Sequence, residues 1–293
     1  MTIPLLQQGK LLKELSTFGI GGPSRFYAEA RSVDEMTDLL GYARDHQIPF
    51  FILGKGSNCL FDDRGFDGLV IHNKIDFCQF NKETGYIAVG AGYNFSLLGS
   101  QTAREGWAGL EFASGIPGSV GGAIFMNAGA NGQETCESLC SVDFIDKNGT
   151  LIKFSRDELQ FSYRTSSFQA MQGAIVAASF QLTPQETVRQ KQIEIIRYRT
   201  RTQPYSDKSA GCIFRNPVGN HAGALIEKCG LKGLNYGGAS VSTKHANFIV
   251  NSHSSSAQDV LQLIDQVQKC VKEETGIALE SEVRVIPFTF EIS

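Results

Sequence analysis

The sequence predicts an α+β protein, and three observations carry that expectation. Short apolar runs of strand character alternate with segments whose apolar residues recur at helical spacing. Glycine exceeds its usual ~7% share, with 31 in 293 residues. That excess gathers in two loops, residues 54–58 (GKGSN) and residues 109–134 (GLEFASGIPGSVGGAIFMNAGANGQE). Glycine gives up packing and loses much backbone entropy on folding, so a run of it needs a reason. The usual reason is a backbone that bends sharply and approaches a ligand, often a phosphate held by exposed amides. Two such loops in one chain point to a dinucleotide-sized ligand.

Composition narrows the class further. A hydrophobic fraction of 42% supports a packed core, and 19% charged residues is too few for disorder. A formal net charge of −3 gives no basic footprint for nucleic acid. No apolar run approaches the ~20 residues of a membrane span, and the N-terminus lacks a secretory apolar block. Seven cysteines without a C-x-x-C pair read as reduced thiols of a cytoplasmic protein. Cys136 and Cys140 have no histidine nearby to complete a zinc site, and His72, His221, His245 and His253 are dispersed, so no metal is expected.

The elements follow in order. Residues 25–31 read as a strand, and Ser32 with Glu35 has the spacing of a capping box. Behind it Val33, Met36, Leu39, Leu40 and Ala43 predict an amphipathic helix to about His46. Residues 49–53 and 68–72 are short strands apolar on both faces, as in a covered sheet. A strand over 84–91 and a helix over 95–105 precede the long glycine stretch. Lys147-Asn148-Gly149 is a turn between strands at 141–146 and 150–154, since Asn-Gly accepts positive φ. Residues 174–182 form another strand. Residues 185–203 are polar with a helical register and stop at Pro204. A helix over 222–229 ends at Gly230, and a strand spans 246–251. A long helix carries Val260, Leu263, Ile264, Val267 and Val271 on one face, starts in a serine cluster and stops at Gly276. A strand at 283–290 closes the chain. The expected units are 1–75, 76–184 and 185–293.

Three further stretches can carry chemistry. Neither glycine loop matches the Rossmann fingerprint or a Walker loop, yet small hydroxyls and open amides in SGIPGSVGG can surround a diphosphate. Arg164 lies among hydroxyls and aromatics in SYRTSSF. An isolated arginine is by default a solvated surface residue, but its planar fork also suits a carboxylate. Glu282 in LESEVR is by default a charged strand edge. Cys212 in AGCIFRNP is by default a small buried hydrophobe.

Taken in order, STFGIGG, GKGSN, GLEFASGIPGSVGGAIFMNAGA, SYRTSSF, AGCIFRNP, GLKG, HANFIVN and LESEVR resemble the UDP-N-acetylenolpyruvoylglucosamine reductase family over residues 16–286. Without an extra tyrosine-bearing loop or an additional fold, the chain is similar to the short subclass. The resemblance implies a two-part FAD-binding region of the vanillyl-alcohol-oxidase type and a smaller α+β substrate-binding domain. It implies non-covalent FAD, NADPH as hydride donor, and UDP-N-acetylglucosamine enolpyruvate as substrate, in a monomer serving peptidoglycan precursor synthesis.

For FAD the resemblance points to Gly54, Gly56, Ser57, Asn58, Ser114, Gly115, Ile116, Pro117, Gly118, Gly121 and Gly122. It places the catalytic arginine at Arg164 and the catalytic glutamate at Glu282. A guanidinium there can bind the substrate carboxylate and steady an enolate. A carboxyl kept protonated by burial can donate a hydrogen bond to it. The family's proton donor is usually serine, and the matching position is Cys212. A thiol with an ordinary pKa near ~8.5 is mostly protonated at neutral pH and can serve as an acid, although Arg215 nearby favours the thiolate. Asn216, Arg215, Lys208 and His245 are the implied substrate ligands. Two other readings are a flavin oxidase of a 2-hydroxy acid or alcohol and a non-catalytic flavin- or nucleotide-sugar-binding protein. Neither needs Arg164, Cys212 and Glu282 together.

Overall fold

The computed structural model describes residues 5–289. Mixed helix and sheet are distributed over two compact units, each with its own core. The first unit comprises Phe26–Lys55 and Gly68–Arg199, with an N-terminal piece ending at Gln7. The second comprises Gln8–Arg25, Gly56–Asp67 and the chain from Thr200 onward. The units are thus not consecutive: residues 8–25 and 56–67 cluster with the C-terminal region.

The strands Ser24–Ala30, Phe66–Asn73 and Phe50–Leu53 lie side by side in that order, residues 26–30, 68–73 and 50–53 of them in the first unit, and the last two are parallel with Phe50 opposite Leu69 and Leu53 opposite His72. A five-stranded antiparallel sheet runs Leu151–Ser155, Leu139–Asp146, Gly173–Gln181, Tyr86–Gly90, Cys78–Phe80. Helix α1 (Val33–Asp45) buries Met36, Leu39, Leu40 and Ala43 against Leu69, Ile71, Ala174 and Val176. The opposite face of Gly173–Gln181 sends Ile175 and Phe180 into a second cluster with Phe95 and Leu98 of α2 (Phe95–Arg104). A strand covered on both faces reads as an unbroken apolar run, which is why 174–182 shows no alternation in the sequence.

Local signals act largely as expected, with two departures. Ser32 Oγ accepts the Glu35 N–H at 3.1 Å, but the Glu35 carboxylate takes the N–H of Arg31 at 2.6 Å, so the box is completed one residue early. At the 147–149 turn only Gly149 has positive φ (+86°), while the Asp146 carboxylate accepts the N–H groups of Asn148 and Thr150. The long glycine stretch is more ordered than a loop. It holds a 3-10 turn at Glu111–Gly115, the short helix α3 (Val120–Phe125) and a small hairpin pairing Gly129–Ala130 with Gln133–Glu134. Phe112, Val120 and Ile124 anchor it in the core at 0% exposure. Helix α4 (Val188–Thr202) then leads out of the unit.

The second unit packs α5 (Ala222–Lys228) and α6 (Ala257–Thr275) on an antiparallel sheet ordered Ser209–Cys212, Phe248–Asn251, Ala239–Val241, Asn235–Tyr236. All five apolar positions expected on one face of α6 are buried. Each contributes about 1.5–3 kcal/mol of transfer free energy. Ser256 and Asp259 form a capping box at its start, and Gly276 ends it at φ +73°. The closing strand is Arg284–Ile286, shorter than expected, and Phe290 lies outside the described residues. Its parallel partner is Cys59–Phe61, a strand the sequence does not announce.

Candidate active site

The two glycine loops touch inside the first unit. The strand Phe50–Leu53 runs into Gly54, where a Cβ would stand 2.3 Å from Ser119 Oγ. Ser119 caps α3 by accepting the Gly122 N–H at 3.3 Å. Gly121 donates its N–H to the Ala91 carbonyl at 2.8 Å, and a Cβ there would meet the Ala91 Cβ at 2.9 Å. Gly54 and Gly121 are therefore required by close approach. Ser114, in the same stretch, has a buried hydroxyl oxygen with no hydrogen-bond partner. Such an atom costs about 1–3 kcal/mol unless something satisfies it. Gly54 and Gly121 thus pack against Ser119 and Ala91, and the orphaned Ser114 hydroxyl is the observation in this stretch that fits a polar cofactor such as FAD.

The rest of the first loop belongs to the second unit. Gly56 has φ +59°, and a Cβ on it would fall 2.4 Å from the Leu15 carbonyl oxygen. The amide of Asn58 donates to the Glu282 carbonyl at 3.2 Å, and the Asn58 carbonyl accepts the Arg284 N–H at 3.0 Å. Asn58, read from the sequence as a cofactor residue, thus also fastens the backbone of Glu282.

Cys212 and Glu282 are brought onto adjacent backbone. Cys212 ends the strand Ser209–Cys212, which is kinked at Gly211 (φ +77°). The next residue, Ile213, accepts the Glu282 N–H at 2.7 Å, and Phe214 bridges to Ser281. The buried Asn247 clamps this segment from the other side. Its Oδ1 accepts the Phe214 N–H at 3.0 Å and its Nδ2 donates to the Phe214 carbonyl at 2.8 Å. Thr17, from the STFGIGG stretch, donates its hydroxyl to the Ser209 carbonyl at 2.7 Å. Asn247 and Thr17 went unassigned in the sequence. The signal for Asn247 was a polar residue opening the apolar run Phe248–Asn251.

The remaining expected ligands spread over the same unit. The Lys208 stem lies along Gly19, where a Cβ would come 2.9 Å from Lys208 Cδ. Asn216 Oδ1 accepts the N–H of Ala222 at the start of α5 at 3.0 Å. His245 sits beside the same turn, its Cε1 3.4 Å from a Cβ placed on Gly223, and its Nδ1 accepts the Asn247 N–H at 3.2 Å. Asn216 and His245 thus both lie against the first turn of α5. Arg215 is held through its N–H on the Glu280 carbonyl at 2.9 Å.

Arg164 belongs to the first unit. It sits in the turn of the hairpin Phe161–Ser162/Thr165–Ser166, with φ +57°, a conformation that costs a side-chain-bearing residue strain. Its guanidinium donates to the Gly129 carbonyl at 3.1 Å and lies 4.9 Å from the Tyr163 ring centroid. Among the described residues no group of three His, Cys, Asp or Glu side chains is placed to hold a metal ion. None of the seven cysteines forms a disulfide. No helix of the described residues is long and apolar enough to cross a membrane.

Comparison with known proteins matches residues 24–155 to an FAD binding domain and residues 203–286 to the C-terminal domain of UDP-N-acetylenolpyruvoylglucosamine reductase. The reductase of that name from Protochlamydia amoebophila is 61% identical over 282 residues, covering 96% of this chain and 94% of the relative. That of Chlamydia muridarum is 52% identical over 97% of this chain and 95% of its own length. The crystal structure of the Thermus caldophilus enzyme superposes with a TM-score of 0.83 at 36% identity, covering 97% of this chain and all of that one.

Proposed function

The chain belongs to the UDP-N-acetylenolpyruvoylglucosamine reductase family, and from that premise we propose that it reduces UDP-N-acetylglucosamine enolpyruvate to UDP-N-acetylmuramate with NADPH, as a cytoplasmic monomer holding FAD non-covalently. The observation that carries the reading is the fastening of Glu282 to the segment that follows Cys212, by the Glu282 N–H on the Ile213 carbonyl. That backbone contact joins Glu282 to the residue after Cys212, which supports reading the two side chains as the carboxyl and thiol that polarise the enol ether and protonate it.

Bound FAD would supply hydride-transfer chemistry between NADPH and C3 of the enolpyruvyl group. Gly54, Gly56, Ser57, Asn58, the 114–118 segment, Gly121 and Gly122 would hold it. The protein's own side chains do the rest. Arg164 binds the substrate carboxylate and offsets the negative charge that develops at C2. Glu282 would donate a hydrogen bond to the same carboxylate, a role that requires its carboxyl to be in the neutral form. Cys212 gives its thiol proton to C2 and is left as a thiolate that regains a proton from water. Asn216 binds the diphosphate of the nucleotide-sugar, His245 is a further ligand, and Lys208 or Arg215 supplies positive charge.

Half-reactions of Cys212 variants test these roles. Under anaerobic conditions, Cys212→Ala should bleach with NADPH at the parental rate. Its colour should return with the enol ether at least ~100-fold more slowly, the usual loss for a missing general acid. Cys212→Ser should keep most of the second step and lose sensitivity to thiol alkylation. Full-rate return of colour in Cys212→Ala would remove Cys212 from the chemistry.

A further inference from the structure

Arg164 stands in a left-handed turn, and a strained residue at a reactive position persists only where its surroundings hold it. The structure contains such a hold, made of two amide side chains to which the sequence alone assigns no role. Asn127 is fully buried, with φ +42°. Its Nδ2 donates to the Ser162 carbonyl at 3.0 Å, within the hairpin that carries Arg164, and to Glu134 Oε2 at 2.7 Å. Its Oδ1 accepts the Cys136 N–H at 3.2 Å. Glu134 pairs with Gly129, and the Gly129 carbonyl receives the Arg164 guanidinium. One asparagine therefore fixes both the hairpin bearing the arginine and the strand that its side chain leans on.

Gln169 closes the other side. Its Nε2 donates to the carbonyl of Arg164 itself at 3.1 Å and to that of Phe125 at 3.0 Å. Phe125 ends α3, where carbonyls lack intrahelical donors, and it also accepts the Ser166 hydroxyl at 2.7 Å. The arginine turn is stitched in this way to the helix that begins at Ser119 in the glycine stretch.

We propose that Asn127 and Gln169 are positioning residues that hold the Arg164 turn in its left-handed form and so aim the guanidinium at the substrate carboxylate. The proposal rests on the reading of Arg164 as the carboxylate-binding residue. Gln169 is exposed and can be replaced with little risk to folding. Each hydrogen bond lost is a modest effect, so a severalfold change is expected rather than abolition.

The test compares both half-reactions of the FAD-loaded parent, Gln169→Leu, Arg164→Ala and the double variant, with amide exchange over residues 161–169. Gln169→Leu should bleach with NADPH at the parental rate. Return of colour with UDP-N-acetylglucosamine enolpyruvate should slow about three- to tenfold, and exchange over 161–169 should rise. In the Arg164→Ala background the same change should slow the second step no further. Parental return of colour in Gln169→Leu, or unchanged exchange, would overturn the clamp while a slowed Arg164→Ala left the arginine's role standing. Equal slowing of both half-reactions would reduce Gln169 to a structural residue and overturn the positioning role. A parental second step in Arg164→Ala would overturn the reading of Arg164 and the clamp with it.

Discussion

Cys59 and Cys212 are one residue type in two different surroundings. Cys59 begins the strand paired with Arg284–Ile286, and burial pushes its thiol up from an ordinary 9.0 to about 11, with the Arg284 charge pulling weakly the other way. A raised thiol pKa favours the protonated form in the folded state. Its contribution to stability is complete below the unfolded value and is lost as pH climbs from about 9 through about 11, because the unfolded chain ionises first. Urea midpoints should therefore fall more steeply over that window in the parent than in Cys59→Ser, and parallel curves would contradict the account. Cys212 instead ends a kinked strand beside Glu282. That difference is hidden in the sequence, where both read as small hydrophobes. Only the family pattern AGCIFRNP separates them. Asn247 and Asn127 lie within stretches that carry the family pattern and Gln169 just past one, yet none had a legible role, because an amide's role depends on which backbone groups the fold brings within reach.

Elements whose code is local were the most legible. The apolar period of α6, its serine cap and its glycine stop all lie within one stretch, and each is observed where expected. Gly276 gives a clean measure of such a signal, since a Cβ on it meets nothing within 4 Å and only its φ of +73° opposes a side chain. Gly276→Ala should lower stability by about 1 kcal/mol with an unchanged flavin spectrum, read by thermal unfolding. An unaltered or raised melting temperature would mean the cap does not constrain the helix. Non-local elements were not legible. Cys59–Phe61 is three residues long and pairs with a strand more than two hundred positions away, and no periodicity develops over that length. The glycine stretch misled in a different way, because Phe112, Val120 and Ile124 supply enough core contact for a 3-10 turn and a short helix.

At the scale of the whole molecule the chain is two compact units, each with a complete core, and the chain passes between them repeatedly. The sequence order of 1–75, 76–184 and 185–293 does not show this threading, because the segments 8–25 and 56–67 carry no composition shift to mark them. The family was legible as a set of motifs in order. Each unit's framework, with Gly54 on Ser119 in the first and Asn58 on Glu282 and Asn247 on Phe214 in the second, emerges only once the strands are paired. The central claim is that the protein reduces an enol ether through bound FAD. The most direct test is to give the FAD-loaded protein NADPH and UDP-N-acetylglucosamine enolpyruvate without oxygen, follow the flavin absorbance, and weigh the nucleotide-sugar afterwards. The account predicts a yellow band that bleaches with NADPH, returns with the enol ether, and leaves a product heavier by two hydrogen atoms. A protein that takes up no FAD, or whose bleached flavin is restored only by oxygen while the nucleotide-sugar keeps its mass, would contradict it.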